Sequence, residues 1–278
     1  MTYFQELWSS RELLLNLTKR EITGRYKRTV LGQLWSLLNP LASMLVYTFV
    51  FGVLFRNDPG PGDPSGIDAY FIWLLCGLLP YQFFSNAVNS GMGAIWSNSS
   101  LVKKVYFPRT NLVLSASAAS GFNWAVEMVI LVVALLIVGG PGVLLFVPVM
   151  IVFMALMLVF VTGVGLMLSV VNVYFQDTQH LIGIALRLMM YLSPVVYPLS
   201  LVSNASNNLG PLFGSVTLFD LYRLNPVERF ISSFRTILYD QRLPALDDTL
   251  FCLGYAAVFI VLGLWIFRRN EKKLAELL

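Results

Sequence analysis

Charged side chains are scarce in this chain. Only 12% of its 278 residues are Asp, Glu, Lys or Arg, whereas 57% are hydrophobic. Soluble domains carry about 25% charged residues, so a soluble fold would have to cover its surface with about half the usual charge. This scarcity argues against a soluble enzyme, a disordered chain and a nucleic-acid-binding protein.

Histidine and cysteine are also rare. The single histidine, His180, excludes a multi-histidine metal site and disfavours a histidine proton relay. Cys76 and Cys252 lie far apart within apolar runs, as small buried hydrophobic residues do, and we expect no disulfide between them. The motif G-x-x-x-x-G-K-[S/T] does not occur, so the chain has no P-loop for ATP hydrolysis. We therefore expect no metal and no cofactor on this chain.

Long apolar runs are abundant, and the mean hydropathy is +0.71. Runs near or above about 18 residues predict membrane-spanning helices. The predicted fold class is an all-α integral membrane protein of one domain, residues 1–278. It comprises an interface segment at 1–33, a six-span bundle at 34–267 and a tail at 268–278. The six spans are predicted at about 39–55, 68–88, 113–138, 143–171, 181–198 and 250–267. The fifth is expected to break near its end, at Pro194 and Pro198.

The basic residues are distributed unevenly between the two sides that six spans would create. Thirteen Lys and Arg residues fall on the side of the N-terminus, the 89–111 loop and the C-terminus. Five fall in the loops of the other side: Arg56, Arg223, Arg229, Arg235 and Arg242. Cytoplasmic loops carry the excess of Lys and Arg. Both termini are therefore predicted to be cytoplasmic, with the 199–249 section outside.

The N-terminal segment predicts an amphipathic helix along the inner membrane face. Its basic residues crowd the second half, and two readings stay open: a plain membrane anchor, or a docking surface for a cytoplasmic partner. The apolar stripe consists of Phe4, Trp8, Leu15, Ile22 and Tyr26.

The 89–111 loop mixes aromatic and basic side chains. Trp96, Tyr106 and Phe107 lie among Lys103, Lys104 and Arg109. Protein interfaces are enriched in aromatics and Arg, although rings resting at the lipid headgroups are an equally simple explanation.

A second short helix is predicted in the 199–249 section. Asn225 and Pro226 form a helix-start signal, and apolar residues then recur on one face as far as Leu238. About 14 residues are too few to span a membrane.

Two charges lie inside predicted spans. Glu127 is near the middle of span 3, and Arg187 is in span 5. Such residues are costly in lipid and are functional by default. They either pair with one another, or Glu127 is protonated within the bundle while Arg187 extends towards the membrane surface.

Aromatic side chains are frequent in and near the spans. Most membrane aromatics form interface belts or take part in packing. If some line a pathway, their faces and hydroxyls suit sugar rings. The candidates are Tyr47, Tyr81, Phe84, Tyr191 and Tyr197.

Four sequence segments together resemble one family. KREITGRYKRTVLGQLWSLLNPL at 19–41 and LVKKVYFPR at 101–109 are similar to segments of ABC-2 type permeases that export cell-envelope polysaccharides. YLSPVVYP at 191–198 and LNPVERFISSFRTILY at 224–239 resemble the same family. The resemblance covers nearly the whole chain.

This resemblance implies a homodimer in a bacterial inner or plasma membrane, with two copies of a separate P-loop ATPase that carries ATP and magnesium. The implied substrate is a polysaccharide such as O-antigen, teichoic acid or galactan, linked to a polyprenyl diphosphate. The implied coupling residues are Trp96, Lys103, Lys104, Tyr106, Phe107, Pro108 and Arg109. The interface helix would attract the lipid diphosphate through Arg20, Arg25, Tyr26, Lys27 and Arg28. The extracytoplasmic gate would contain Pro194, Pro198, Pro226, Phe230 and Phe234.

Three rival functions remain at this point. An ABC-2 permease for a drug or a simple lipid would share the architecture. A membrane-embedded glycosyl or acyl transferase should show polar catalytic residues near one membrane face, and a passive channel would need no ATPase.

Overall fold

The computed structural model describes residues 10–25, 32, 34–55, 59–105 and 107–277. The described part is a helical bundle with one small β-hairpin. The helices are α1 (Arg11–Arg25), α2 (Leu34–Tyr47), α3 (Tyr70–Ser97), α4 (Ser99–Lys104), α5 (Thr110–Gly139), α6 (Val147–Tyr174), α7 (Thr178–Tyr191), α8 (Leu199–Leu209), α9 (Leu218–Tyr222), α10 (Pro226–Leu238) and α11 (Leu246–Leu277).

Four helices among the described residues are long and apolar enough to cross a membrane. They span residues 70–97, 110–139, 141–174 and 246–271, and they confirm the spans predicted at 68–88, 113–138, 143–171 and 250–267 as apolar helices. The third begins with a 3₁₀ turn, Pro141–Phe146, that leads directly into α6.

The other two predicted spans are shorter. Residues 38–54 form an apolar helix, in which α2 passes into a π-helical segment at Thr48–Leu54. The predicted fifth span, 181–198, was expected to break near its end at Pro194 and Pro198, and the helix ends slightly earlier, at Tyr191. Residues 192–198 form turns, since Pro194 and Pro198 cannot continue the hydrogen-bond ladder of a helix.

A two-stranded antiparallel hairpin departs from the all-α prediction. It pairs Pro211 with Thr217 and Phe213 with Val216. Gly214 has φ +60° in its turn, a conformation that glycine adopts without steric cost. Thr217 then begins α9 with a capping box, and its hydrogen bonds lower the pKa of Asp220.

The long helices run alternately between two ends of the bundle. At the first, which we call the basic end, Asn111 at the start of α5 donates to Ser10 Oγ at 2.9 Å, and Tyr174 at the end of α6 donates to Asn270 of α11 at 3.4 Å. At the second, which we call the gate end, Tyr70 at the start of α3 donates to the Val196 carbonyl at 3.0 Å. The basic end thus gathers α1, α4 and the last turns of α11.

The face of α1 that packs inward differs from the predicted stripe. Leu15 is 59% exposed, whereas Leu17 is buried and Leu13 packs beside it. The helix α1 thus packs on α5 through residues outside the predicted stripe, and contact of the stripe with the membrane stays a prediction. Phe4, Trp8 and Tyr26 lie outside the described residues.

The contact between α6 and α11 depends on two glycines. A Cβ atom on Gly163 would overlap the backbone of Phe259, and one on Gly263 would overlap the backbone of Gly163. The two helices approach closely because neither side chain intervenes, as small residues permit between membrane helices.

We expect Gly263→Val to destabilise the protein by about 3 kcal/mol or more, since overpacking forces the backbones of α6 and α11 apart. Gly254→Val is the matched control, because a Cβ atom at Gly254 would meet no atom within 4 Å. The measurement is thermal unfolding of the two detergent-extracted variants. Equal melting temperatures would contradict the assigned contact.

Candidate functional site

The predicted coupling segment is a short surface element between two long helices. In α4, Val102 points into the core, while Lys103 and Lys104 are exposed. Trp96, at the end of α3, is 41% exposed. The segment thus presents two cations to solvent at the basic end, with an aromatic ring nearby along the chain. Tyr106 lies outside the described residues.

Phe107 and Arg109 attach this segment to the rest of the bundle. Phe107 is only 8% exposed and belongs to a buried cluster with Leu17, Val102 and Phe267. The Arg109 backbone N–H donates to Glu271 Oε1 at 2.9 Å, and its guanidinium donates to the Glu271 carbonyl. Phe107 and Arg109 therefore anchor the segment to α1 and α11, which leaves the exposed lysines as its accessible charges.

The interface helix α1 is tied to the same segment. The Arg20 guanidinium donates to Asn98 Oδ1 and forms an exposed ion pair with Glu21 at 3.1 Å. Arg20 is one of the residues predicted to attract the lipid diphosphate, and in this structure its guanidinium already contacts Asn98 and Glu21. The side chain of Arg25 and residues Tyr26, Lys27 and Arg28 lie outside the description.

The structure separates the aromatic pathway candidates into two groups. Tyr81 and Phe84 are 4% and 6% exposed; Tyr81 donates to the Leu186 carbonyl, and Phe84 stacks on Phe160. These two side chains are core residues in this conformation and line no open surface. Their role in the pathway stays a prediction, because the aromatic content of a helix does not reveal which face is buried.

The other aromatic candidates lie nearer the surface. Tyr191 is 60% exposed, and Tyr197 donates to the Tyr191 carbonyl at 2.7 Å. Tyr47 is half-buried beside Met190, with 3.8 Å between its hydroxyl and the sulfur. These three remain candidate pathway residues.

The predicted gate helix, α10, is set into the core of the bundle. Phe230 stacks on Phe160 with ring centroids 5.6 Å apart, and Phe234 meets Trp124 edge-on at 5.5 Å. Both phenylalanines are fully buried. Asn225 caps the helix by accepting from the Val227 N–H at 2.9 Å, ahead of Pro226 at the first helical position.

Arg235 joins α10 to the turn that ends α7. Its guanidinium donates to the carbonyls of Pro194 and Val195, the latter at 2.6 Å, and lies 3.5 Å from the Trp73 ring centroid. Arg235 is 7% exposed, and a Cβ atom on Gly77 would collide with it. Arg235 was expected among the loop charges of the outer side, and its burial was not predicted.

An ionic cluster joins α10 to the start of α11. Asp248 accepts from both Arg223 and Arg229, and Asp247 accepts from Arg229 at 3.3 Å. The Arg229 guanidinium also lies 4.4 Å from the Phe251 ring centroid. The sequence carried one signal for this cluster: two adjacent aspartates at a helix start, where the helix dipole favours negative charge.

The two intramembrane charges lie in different surroundings. Glu127 lines a cavity of ≈ 210 Å³ whose other residues are apolar, between α2, α3 and α5. Arg187 is exposed on α7. Their pairing stays a prediction.

Sequence comparisons agree over nearly the whole chain. The chain is 32% identical to the O-antigen export system permease protein RfbA of Myxococcus xanthus, over 98% of this chain and 97% of that protein. It is 26% identical to the RfbA permease of Klebsiella pneumoniae, over 96% and 95%, and 23% identical to the polysialic acid transport protein KpsM of Escherichia coli, over 91% of each. The family model described as ABC-2 type transporter matches residues 12–239. That match covers most of the chain, and three of the membrane-length helices lie inside it; the chain therefore belongs to the ABC-2 type transporter family.

Proposed function

We propose that this chain is the permease subunit of an ATP-driven exporter that moves a lipid-linked cell-envelope polysaccharide across the bacterial inner membrane. The observation that carries the proposal is the similarity to O-antigen export permeases over 98% of the chain. The exported chain would be attached to a polyprenyl diphosphate, with Arg20 and the basic residues that follow α1 attracting the diphosphate.

The energy would come from a separate ATPase subunit, which binds ATP and magnesium. The sequence contains no P-loop motif. Lys103 and Lys104 are exposed on α4, and contacts of Phe107 and Arg109 fix that segment to α1 and α11. Movement imposed on the two lysines would therefore pass to several membrane helices at once.

The path of the chain supports six membrane crossings. Residues 34–54 connect α1 at the basic end with α3, which starts at the gate end. Residues 175–245 must likewise bring the chain from the end of α6 back to the gate end. The 14 residues of α7 account for about 21 Å of that distance at 1.5 Å per residue, and residues 192–198 extend it.

In the proposed assembly two copies of the chain form a homodimer with two ATPase subunits, and both termini are cytoplasmic. The gate end then faces outward, where α8, α9 and α10 close the exit. The Arg235 contact and the ionic cluster of Asp247 and Asp248 hold α10 in its closed position.

Depletion of the chain in its own host tests the substrate class. Loss of one surface polysaccharide, with its lipid-linked form accumulating inside the cell, is the expected result. Re-expression should restore export, and re-expression beside an ATPase subunit whose P-loop lysine is replaced should not. An unchanged surface polysaccharide combined with altered drug resistance would favour a drug or lipid permease and overturn the proposal.

A further inference from the structure

The helix α3 carries a polar face that neither packing nor coupling explains. Within its most apolar 18-residue window, 78% of the positions are buried. Asn86, Asn89 and Trp96 are exposed, while Gln82 and Gly93 are half-buried. Their spacing of three and four residues places them on one face.

This face enters the membrane region. Asn86 lies about 16 Å from the basic end of α3 at Ser97, given 1.5 Å of rise per residue. Amide side chains in contact with hydrocarbon leave their hydrogen-bonding groups unsatisfied, which is costly. The face must therefore meet water, a polar substrate or another protein surface.

At the basic end the polar face opens into a cleft of ≈ 240 Å³. This is smaller than the about 300–1,000 Å³ typical of drug-sized sites, and it suits a single ring better than an extended molecule. The polar part of its lining combines amides, two hydroxyls, a carboxylate and an indole: Asn89, Asn98, Gln179, Ser90, Ser97, Glu21 and Trp96.

The chemistry of this lining matches sugar rings. Asn and Gln each offer both donors and acceptors, as sugar hydroxyls do, and the exposed Trp96 ring supplies an amphipathic surface for stacking. The deeper part of the face, Gln82 to Asn89, carries no charge. Since neutral hydrogen bonds contribute little net free energy, a polymer can exchange them from one sugar to the next without becoming trapped.

We propose that the polar face of α3 contacts the sugar rings of the exported polysaccharide, and that the cleft beside Trp96 binds one ring at its cytoplasmic end. This inference rests on the proposed function and adds the residues that touch the glycan. As pathway residues on α3 it proposes Gln82, Asn86 and Asn89 in place of Tyr81 and Phe84, whose side chains are buried in the core of the bundle.

Two substitutions at one position test the proposal in the complete exporter. Asn89 donates to the Ser85 carbonyl at 2.9 Å, and its side chain is exposed. Asn89→Leu keeps the approximate size and improves helix propensity, so the variant should fold. It should lower export by about tenfold, as expected for losing one or two hydrogen bonds, while Asn89→Gln retains most of it. Equal export by the two variants would overturn the proposal.

Cysteine labelling shows whether the glycan or another copy of the chain contacts the polar face of α3. Asn86→Cys is treated with a water-soluble methanethiosulfonate in host membranes; Cys76 and Cys252 are fully buried and should add little background. We expect labelling in cells that make no glycan and protection when vanadate stalls the ATPase with glycan present. Equal labelling in both states would refute sugar contact. Disulfide cross-linking between copies in both states would instead assign the face to a subunit contact.

Depletion of the chain in the same host distinguishes failure of the sugar-contact proposal from failure of the proposed export function. Suppose that depletion of the chain abolishes surface polysaccharide but Asn86→Cys is never protected from labelling. The proposed export function is then supported, and the polar face does not contact the sugar. If depletion leaves surface polysaccharide intact, the proposed function itself fails, and with it the premise of this inference.

Discussion

Reversing the charge of both exposed lysines, Lys103→Glu with Lys104→Glu, should abolish most export while leaving the permease folded. Both side chains are exposed on α4 and make no contribution to the core. Close charge pairs across protein interfaces are worth about 1.5 kcal/mol or more, so export should fall at least about tenfold. The measurements are surface polysaccharide and ATP hydrolysis in membranes, where hydrolysis should no longer respond to substrate.

A reversal elsewhere on the basic end is the matched control. Lys273→Glu changes an exposed lysine that belongs to α11 and not to α4, and export should remain near that of the unaltered protein. Acid-to-lysine changes on the docking surface of the ATPase should restore export to the double variant. If the double variant and the control behave alike, α4 is not the docking element.

Removing the Arg235 side chain should have the largest effect on stability at the gate end. Arg235→Leu leaves the buried carbonyls of Pro194 and Val195 without their donor, at about 1–3 kcal/mol each, and removes the stacking on Trp73. Arg235→Lys should restore only part of this, because an ammonium lacks the planar fork that reaches both carbonyls. Hydrogen exchange of residues 192–198 and 226–238 should accelerate in both variants.

Arg242→Leu serves as the control for the Arg235 variants. Its guanidinium is half-exposed and lies 3.8 Å from Asp240, a surface pair worth about 0–1 kcal/mol. Exchange at the gate end should therefore hardly change. Slow exchange persisting in Arg235→Leu would show that the stacked phenylalanines alone hold α10 in place.

Length and hydropathy were sufficient to predict the long helices. A continuous apolar run of membrane length has few alternatives to a spanning helix, and Asn225-Pro226 marked the start of α10 correctly. The failures occurred where chain direction depends on local geometry. The break expected at Pro194 and Pro198 falls a few residues earlier, since α7 ends at Tyr191, and Gly214 allows a hairpin within a section predicted as loop and helix.

The candidate site was predicted less completely, because a single sequence does not state which partner a charge meets. Arg229 and Arg235 were counted as loop charges, yet both are buried because α10 packs into the core. Arg229 pairs with Asp248, and Arg235 donates to the carbonyls of residues 194 and 195. Tyr81 was predicted as a pathway residue from its aromatic ring and is buried, whereas Gln82, which was not considered, is half-buried on the polar face. The polar face through Asn86 and Asn89 follows helical spacing and was readable in the sequence.

Native mass spectrometry of the complex, extracted gently from the host's own membranes, tests the central claim most directly. The account predicts two copies of this chain with two copies of a P-loop ATPase, and added mass from a lipid-linked glycan when hydrolysis is blocked by vanadate. A stable assembly without any ATPase across several mild detergents would contradict it. That result would favour a channel or a membrane-embedded enzyme, and would remove the coupling role from Lys103 and Lys104.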